Sequence, residues 1–248
     1  MATFYAFARA IDDIADNGGL RADDKLARLD AMEDALYGRL PGRAGLEKAH
    51  AIRASCLATG VPLDHCRDLI AAFKQDAVKL RYADWGELMG YCNLSAAPVG
   101  RYLLDLHGEA RAAWPASDAL CNALQVLNHL QDCQDDYRNL DRVYLPGDWL
   151  AAERETVAAL DRPASSPGLR RVLDRCLDTT DALLVTAQTL PGRLTSRGLA
   201  MESAVIVRLA TRLSALLKRG DPLAGRVALT KLDFVRCGIA GVIAGAFK

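Results

Sequence analysis

Phe4-Tyr-Ala-Phe-Ala-Arg-Ala-Ile-Asp-Asp-Ile-Ala-Asp16 sets a row of polar side chains into an apolar pattern. Tyr5, Arg9, Asp12 and Asp16 recur at intervals of four, three and four residues, which places them in one stripe on a helix face. Phe4, Phe7, Ile11 and Ile14 point in other directions and need burial, and Asp13 stands about 100° from Asp12, at the stripe's edge. A second stretch repeats the device. In Leu124-Gln-Val-Leu-Asn-His-Leu-Gln-Asp-Cys-Gln-Asp-Asp-Tyr-Arg138, the residues Gln125, Asn128, Asp132 and Asp136 form a stripe flanked by Leu124, Val126, Leu127 and Leu130. Polar groups inside so apolar a helix are costly to bury without partners, by a few kcal/mol each and more for a charge. Two acidic stripes satisfy each other badly.

Outward from these stretches the helical period dominates and strand-like alternation is nearly absent. The pattern predicts helices over 2–16, 22–40, 44–59, 62–79, 84–107, 116–138, 167–190, 197–219 and 222–246. The breaks fall on turn chemistry: Asn17-Gly18-Gly19, Pro41-Gly42, Gly60-Val61-Pro62, Trp114-Pro115 and Pro191-Gly192. Pro98 removes a hydrogen bond to the Leu94 carbonyl and should kink its helix. The longest irregular stretch is 139–166. With no low-complexity linker or short repeat, residues 1–248 read as a single all-α domain. Residue 4 already lies within a helical pattern that has no capping residue before it, so the chain reads as entering mid-helix, with an upstream helix expected to be missing.

Composition removes several function classes. Thirty-one basic side chains balance 31 acidic ones, against the basic excess of a nucleic-acid binder. The seven cysteines form no CxxC pair, no zinc spacing with histidine and an odd total, so reduced, buried thiols are expected rather than a disulfide framework. The first apolar stretch carries Arg9, Asp12 and Asp13, unlike a secretory signal. No apolar run reaches the roughly 18 residues of a membrane span. These features predict a cytoplasmic protein. The apolar tail over 237–247 is a candidate for peripheral contact with the inner face of a membrane, a packed last helix being the better reading.

Ligand type points to the ion that would relieve the acidic stripes. Carboxylates and an amide oxygen, with no His or Cys counted in either stripe, suit hard Mg²⁺ rather than zinc. Mg²⁺ takes one or two carboxylates and fills its remaining sites with water and phosphate, so carboxylates at i and i+4 on facing helices read as a diphosphate clamp, with Arg9 placed to neutralise phosphate oxygens. A lone DxxxD is usually a solvated helix face; two copies embedded in apolar sequence argue for function.

In this order and combination, Tyr5 through Asp16, Phe73-Lys-Gln-Asp76, Tyr91-Cys-Asn-Leu-Ser-Ala-Ala-Pro-Val-Gly100, and Leu124 through Asp136 followed by Arg142-Val-Tyr-Leu-Pro146 resemble the squalene/phytoene synthase family. The resemblance covers most of the chain. It implies the all-α isoprenoid synthase fold with a central apolar cavity, metal ligands at Asp12, Asp16, Asn128, Asp132 and Asp136, and about two or three Mg²⁺ ions bound with the diphosphate. It implies a diphosphate contact at Arg9 and substrate-site positions at Tyr5, Asp76, Tyr91 and Gln125. Within the family the chain is most similar to the hydroxysqualene-forming branch of bacterial hopanoid biosynthesis, because Gln131 stands where other branches usually carry Arg before the Asp. That likeness implies a carbon–oxygen lyase converting presqualene diphosphate and water to hydroxysqualene and diphosphate, without NAD(P)H, with the neighbouring pathway enzymes as candidate partners.

Ionisation of such a substrate needs a closed apolar wall, for which Leu88, Val99, Leu103, Leu124 and Leu127 are candidates, and small residues (Ser95, Ala96, Ala97, Gly100) that let a polyisoprenoid chain approach a helix. An alcohol product also requires a held water, expected at Gln131, Asn128 and Tyr91. His50, His65, His107 and His129 lack paired spacing and read as structural or surface residues. Among Arg208, Arg212, Arg219, Arg226 and Lys231 a further phosphate ligand is sought, though most should be solvated. Two alternatives stay open: a synthase that condenses two prenyl diphosphates to presqualene diphosphate or phytoene, and a non-catalytic assembly factor of the same fold.

Overall fold

A computed structural model describes the backbone of residues 1–246 and the side chains through residue 240. Its helices run in the order α1 (Ala2–Ala15), α2 (Ala22–Leu36), α3 (Glu47–Thr59), α4 (Asp64–Val78), α5 (Trp85–Ser95), α6 (Ala97–Leu106), α7 (Trp114–Gln131), α8 (Cys133–Leu140), α9 (Gly147–Ala152), α10 (Pro167–Ala187), α11 (Leu190–Arg193), α12 (Arg197–Leu217) and α13 (Lys231–Ala246). The only strands among the described residues are β1 (Arg81–Tyr82) and β2 (Val143–Pro146), a short parallel pair.

Two apolar clusters carry the fold. Phe4, Phe7 and Ile11 of α1 pack with Leu29, Ile52, Leu69 and Ile70 from α2–α4, and Tyr102 of α6 stacks on Phe4 at 4.0 Å. The larger cluster gathers Leu88, Leu120, Leu127, Leu173, Val207 and Leu213 from α5, α7, α10 and α12. Start signals follow capping chemistry: the side chains of Asp84, Ser166 and Ser196 accept from the Glu87, Leu169 and Leu199 N–H groups at the starts of α5, α10 and α12.

The expected helix over 84–107 is divided at Ala96, two residues before Pro98, as the missing proline donor requires. The expected 116–138 helix also breaks, at Asp132, into α7 and α8. The last helix starts at Lys231 rather than 222, because residues 221–230 are held as an irregular strap. The Asp221 carboxylate accepts from the Ser165 N–H and hydroxyl at 2.7 Å, and the Gln131 amide donates to the Val227 carbonyl at 2.6 Å. Gly100 serves packing between helices: a Cβ there would overlap Ser117 Oγ and lie 2.7 Å from Cys121 Sγ on α7. All seven cysteines are free thiols. No helix among the described residues is long and apolar enough to cross a membrane. Of the apolar tail, the side chains from 241 onward lie outside the described residues.

Candidate active site

Both acidic stripes reach one cleft of about 280 Å³. α1 contributes Asp12 and Asp16, α4 contributes Phe73 and Asp76, and α5 contributes Tyr91 and Ser95. α7 supplies Gln125, Asn128 and His129; Asp132 stands at the break; Asp136 and Leu140 come from α8, and Arg142 and Tyr144 from the segment ending in β2. A larger groove between α12 and α13, about 800 Å³, contains none of these side chains.

At the centre lies Asp76, only 4% exposed. The Tyr91 hydroxyl donates to its Oδ2 at 2.7 Å and the Tyr144 hydroxyl to its Oδ1 at 3.0 Å. Burial raises the Asp76 pKa, and the Arg142 charge and the two phenols pull the other way. Buried Arg142 donates from Nη1 to Asp16 Oδ1 at 2.6 Å and from Nη2 to the Ala15 carbonyl at 3.0 Å, tying the end of α1 to β2. Burial disfavours the Arg142 charge, but Asp76, Tyr144 and Asp16 outweigh that and raise its pKa. Asp12 is pushed up to about 6 by burial and by the neighbouring charge of Asp16, with Arg9 partly relieving it. Burial and Asp136 likewise raise Asp132. The cleft is therefore short of positive charge on its acidic side.

Not every expected residue joins the cleft. Tyr5 is 71% exposed and lies off its wall, and Arg9 sits at the rim, paired with Asp12 at 2.8 Å and Asp13 at 2.9 Å. Gln131 is a correction: its side chain is not part of the cleft's lining, and its amide donates instead to the Val227 carbonyl of the strap. It lines a smaller hollow of about 180 Å³ on the far side of Asp132, together with Arg226, whose charge attracts Asp132. Of the other cations on the last helices, Arg212 pairs with Asp233 at 2.7 Å. Leu88 and Leu127 are core residues, and Val99 is 39% exposed.

His129 is the opposite correction. Expected to be structural or on the surface, it lies in the cleft, stacked on Tyr144 with ring centroids 3.6 Å apart, its Nε2 3.0 Å from Gln125 Nε2 and its Nδ1 3.8 Å from Asp136. The signal was present: Gln125, His129, Asp132 and Asp136 repeat the four, three, four spacing of the first stripe. Arg142 and Tyr144, in the stretch Arg142-Val-Tyr-Leu-Pro146, line the cleft as well, two site residues that helical spacing does not single out. His65, by contrast, is buried against Asp105 at 2.8 Å, a structural pairing away from the cleft.

The profile of the Squalene/phytoene synthase family matches residues 1–233. The chain is 45% identical over 232 residues to a protein named hydroxysqualene synthase from Rhodopseudomonas palustris, covering 94% of this chain and 78% of the relative. It is 40% identical over 243 residues to one of the same name from Zymomonas mobilis, covering 97% and 80%. The crystal structure of squalene synthase HpnC from Alicyclobacillus acidocaldarius superposes with a TM-score of 0.77 at 30% identity, over 88% of this chain and 81% of that one. A dehydrosqualene synthase in complex with ligand shares the fold at a TM-score of 0.80 and 16% identity, over 99% and 86%.

Proposed function

The chain belongs to the squalene/phytoene synthase family and is an enzyme of that family, and from this premise we propose that it converts presqualene diphosphate and water, with Mg²⁺, to hydroxysqualene and diphosphate. The finer assignment is supported by relatives named hydroxysqualene synthase at 40–45% identity. The single observation that carries it is one cleft shared by Asp12 and Asp16 of α1 with Asp132 and Asp136 at the α7–α8 junction.

The donor set fits Mg²⁺. Its candidates are four carboxylates and the Asn128 amide oxygen, all hard ligands. Among the described residues no three His, Cys, Asp or Glu side chains converge to hold a metal ion by themselves, so the fit rests on donor chemistry: Mg²⁺ takes one or two carboxylates and completes its shell with water and phosphate oxygens. When bound, Mg²⁺ supplies neutralisation of the charge that builds on the leaving diphosphate. The chain's own residues do the rest. Arg9 at the rim and Arg142 on the wall add fixed positive charge near the phosphate oxygens. Asp76 aligns the Tyr91 and Tyr144 hydroxyls and holds those rings, with stacked His129, as a wall beyond the acidic end. Phe73 and Leu140 are the apolar side chains of an otherwise mostly polar lining, and they give the carbocation surface that does not deliver water to it. No step needs a nicotinamide cofactor.

Incubation with Mg²⁺ and labelled presqualene diphosphate, followed by mass spectrometry, tests the reading. Hydroxysqualene and diphosphate should form, and chelation of the metal should stop the reaction. Asp12→Asn and Asp132→Asn should each lower turnover by at least about 100-fold, the scale for loss of a charge-stabilising group, while circular dichroism stays unchanged. Wild-type turnover in either variant removes these aspartates from the site. Consumption of farnesyl or geranylgeranyl diphosphate instead would mark a condensing synthase.

A further inference from the structure

Ser95 ends α5 on the cleft wall, and its Oγ is buried with no hydrogen-bond partner in the protein. A serine in a helix commonly bonds a carbonyl one turn back, but Ser95 does not. Three hydroxyls line the cleft, and the other two, Tyr91 and Tyr144, are committed as donors to Asp76. A buried hydroxyl left unpaired is unfavourable unless a water molecule completes it, and a site that holds water must be polar and roomy. The cleft, at about 280 Å³, greatly exceeds the ~30 Å³ a water occupies in the liquid.

We propose that Ser95 holds the water that ends the reaction as an alcohol, an inference that rests on the hydroxysqualene reading above. The substrate's carbon–oxygen bond to diphosphate breaks, and the electron pair leaves on the diphosphate. A lone pair of the held water forms the new carbon–oxygen bond to the carbocation, and the proton lost from that oxygen passes to a diphosphate oxygen. The Ser95 hydroxyl accepts a hydrogen bond from the water, which turns the water's lone pair toward the cation without making it hydroxide. A serine is suited to this: it orients water yet is too weak a base to strip protons from the cation indiscriminately.

Single-turnover reactions of the full chain with Mg²⁺ and presqualene diphosphate separate ionisation from capture, with diphosphate release and product identity measured together. Ser95→Ala removes the hydroxyl without adding bulk, Ser95→Val removes it at the volume of threonine, and Ser95→Thr keeps it. In the first two, diphosphate release should stay within a few-fold of wild type. Their alcohol share should fall about tenfold, the effect of losing one hydrogen bond at the capture step, with hydrocarbons formed by proton loss taking its place. Ser95→Thr should retain the alcohol. An unchanged alcohol share in folded Ser95→Ala overturns the proposal, and so does diphosphate release that falls in step with the alcohol. If the wild-type chain releases no diphosphate from presqualene diphosphate, it is the parent reading that fails.

Discussion

Asp76 shows what a buried carboxylate requires. It sits on α4 with two phenols donating to it, one from α5 and one from β2. Tyr144→Phe keeps the ring stacked on His129 and deletes only one donor, so equilibrium denaturation should show a loss of about 1–3 kcal/mol, the usual cost of an abandoned buried acceptor. Tyr91→Phe should cost a similar amount. The double variant should cost less than the sum, because the carboxyl without either donor takes up a proton and ceases to be a buried charge. Strict additivity would show that the two bonds do not serve one group. The sequence made the acids of this site legible, since their stripes are local and sit one turn apart. It did not make Asp76's partners legible: Tyr144 is 68 positions away, and periodicity carries no information about contacts of that span. Ser95 was hidden differently, being read for its small size when its unpaired oxygen was the informative atom.

At the scale of elements, the breaks that were legible are those with a chemical cause inside the segment. Pro98 lacks an N–H, so α5 and α6 part beside it. The Asp132 break was obscured because the helical spacing of the acidic stripe runs through it, and the late start of α13 because the strap over 221–230 is fixed by distant partners, Ser165 and Gln131. Gly100 likewise acquires its meaning only from the helix across from it. Since a Cβ at 100 would collide with Ser117 and Cys121, Gly100→Ala should force α6 away from α7 despite alanine's better helix propensity. Overpacking of this kind costs about 1–3 kcal/mol, which for a chain of this size lowers Tm by roughly 2–4 °C per kcal/mol. A Tm at or above wild type would show that the two helices are free to separate and that the contact is not tight.

Over the whole molecule, the two apolar clusters meet where the cleft opens. Asp12 and Asp16 ride on the cluster of α1–α4, while Asp132 and Asp136 ride on the cluster built from α5 onward. At the cleft this seam is tied by Arg142 to Asp16 and Ala15, and by Tyr91 and Tyr144 to Asp76. A metal–diphosphate clamp that spans the seam would add a tie there and also relieve the carboxylate crowding that adds to burial in raising Asp12. Ligand that binds only the folded state at about 100 times its Kd adds about 2.7 kcal/mol, equivalent to a rise in Tm of roughly 5–11 °C for this chain length. Mg²⁺ and inorganic diphosphate together should produce that rise, and either alone much less, since the ion takes few protein ligands and the anion faces bare carboxylates. Asp132→Asn should lose most of the joint effect while keeping the metal-free Tm close to wild type. If diphosphate without metal stabilises the protein as strongly as the pair, the acidic stripes are not acting as a clamp, and the arginines of the cleft are sufficient to hold the anion.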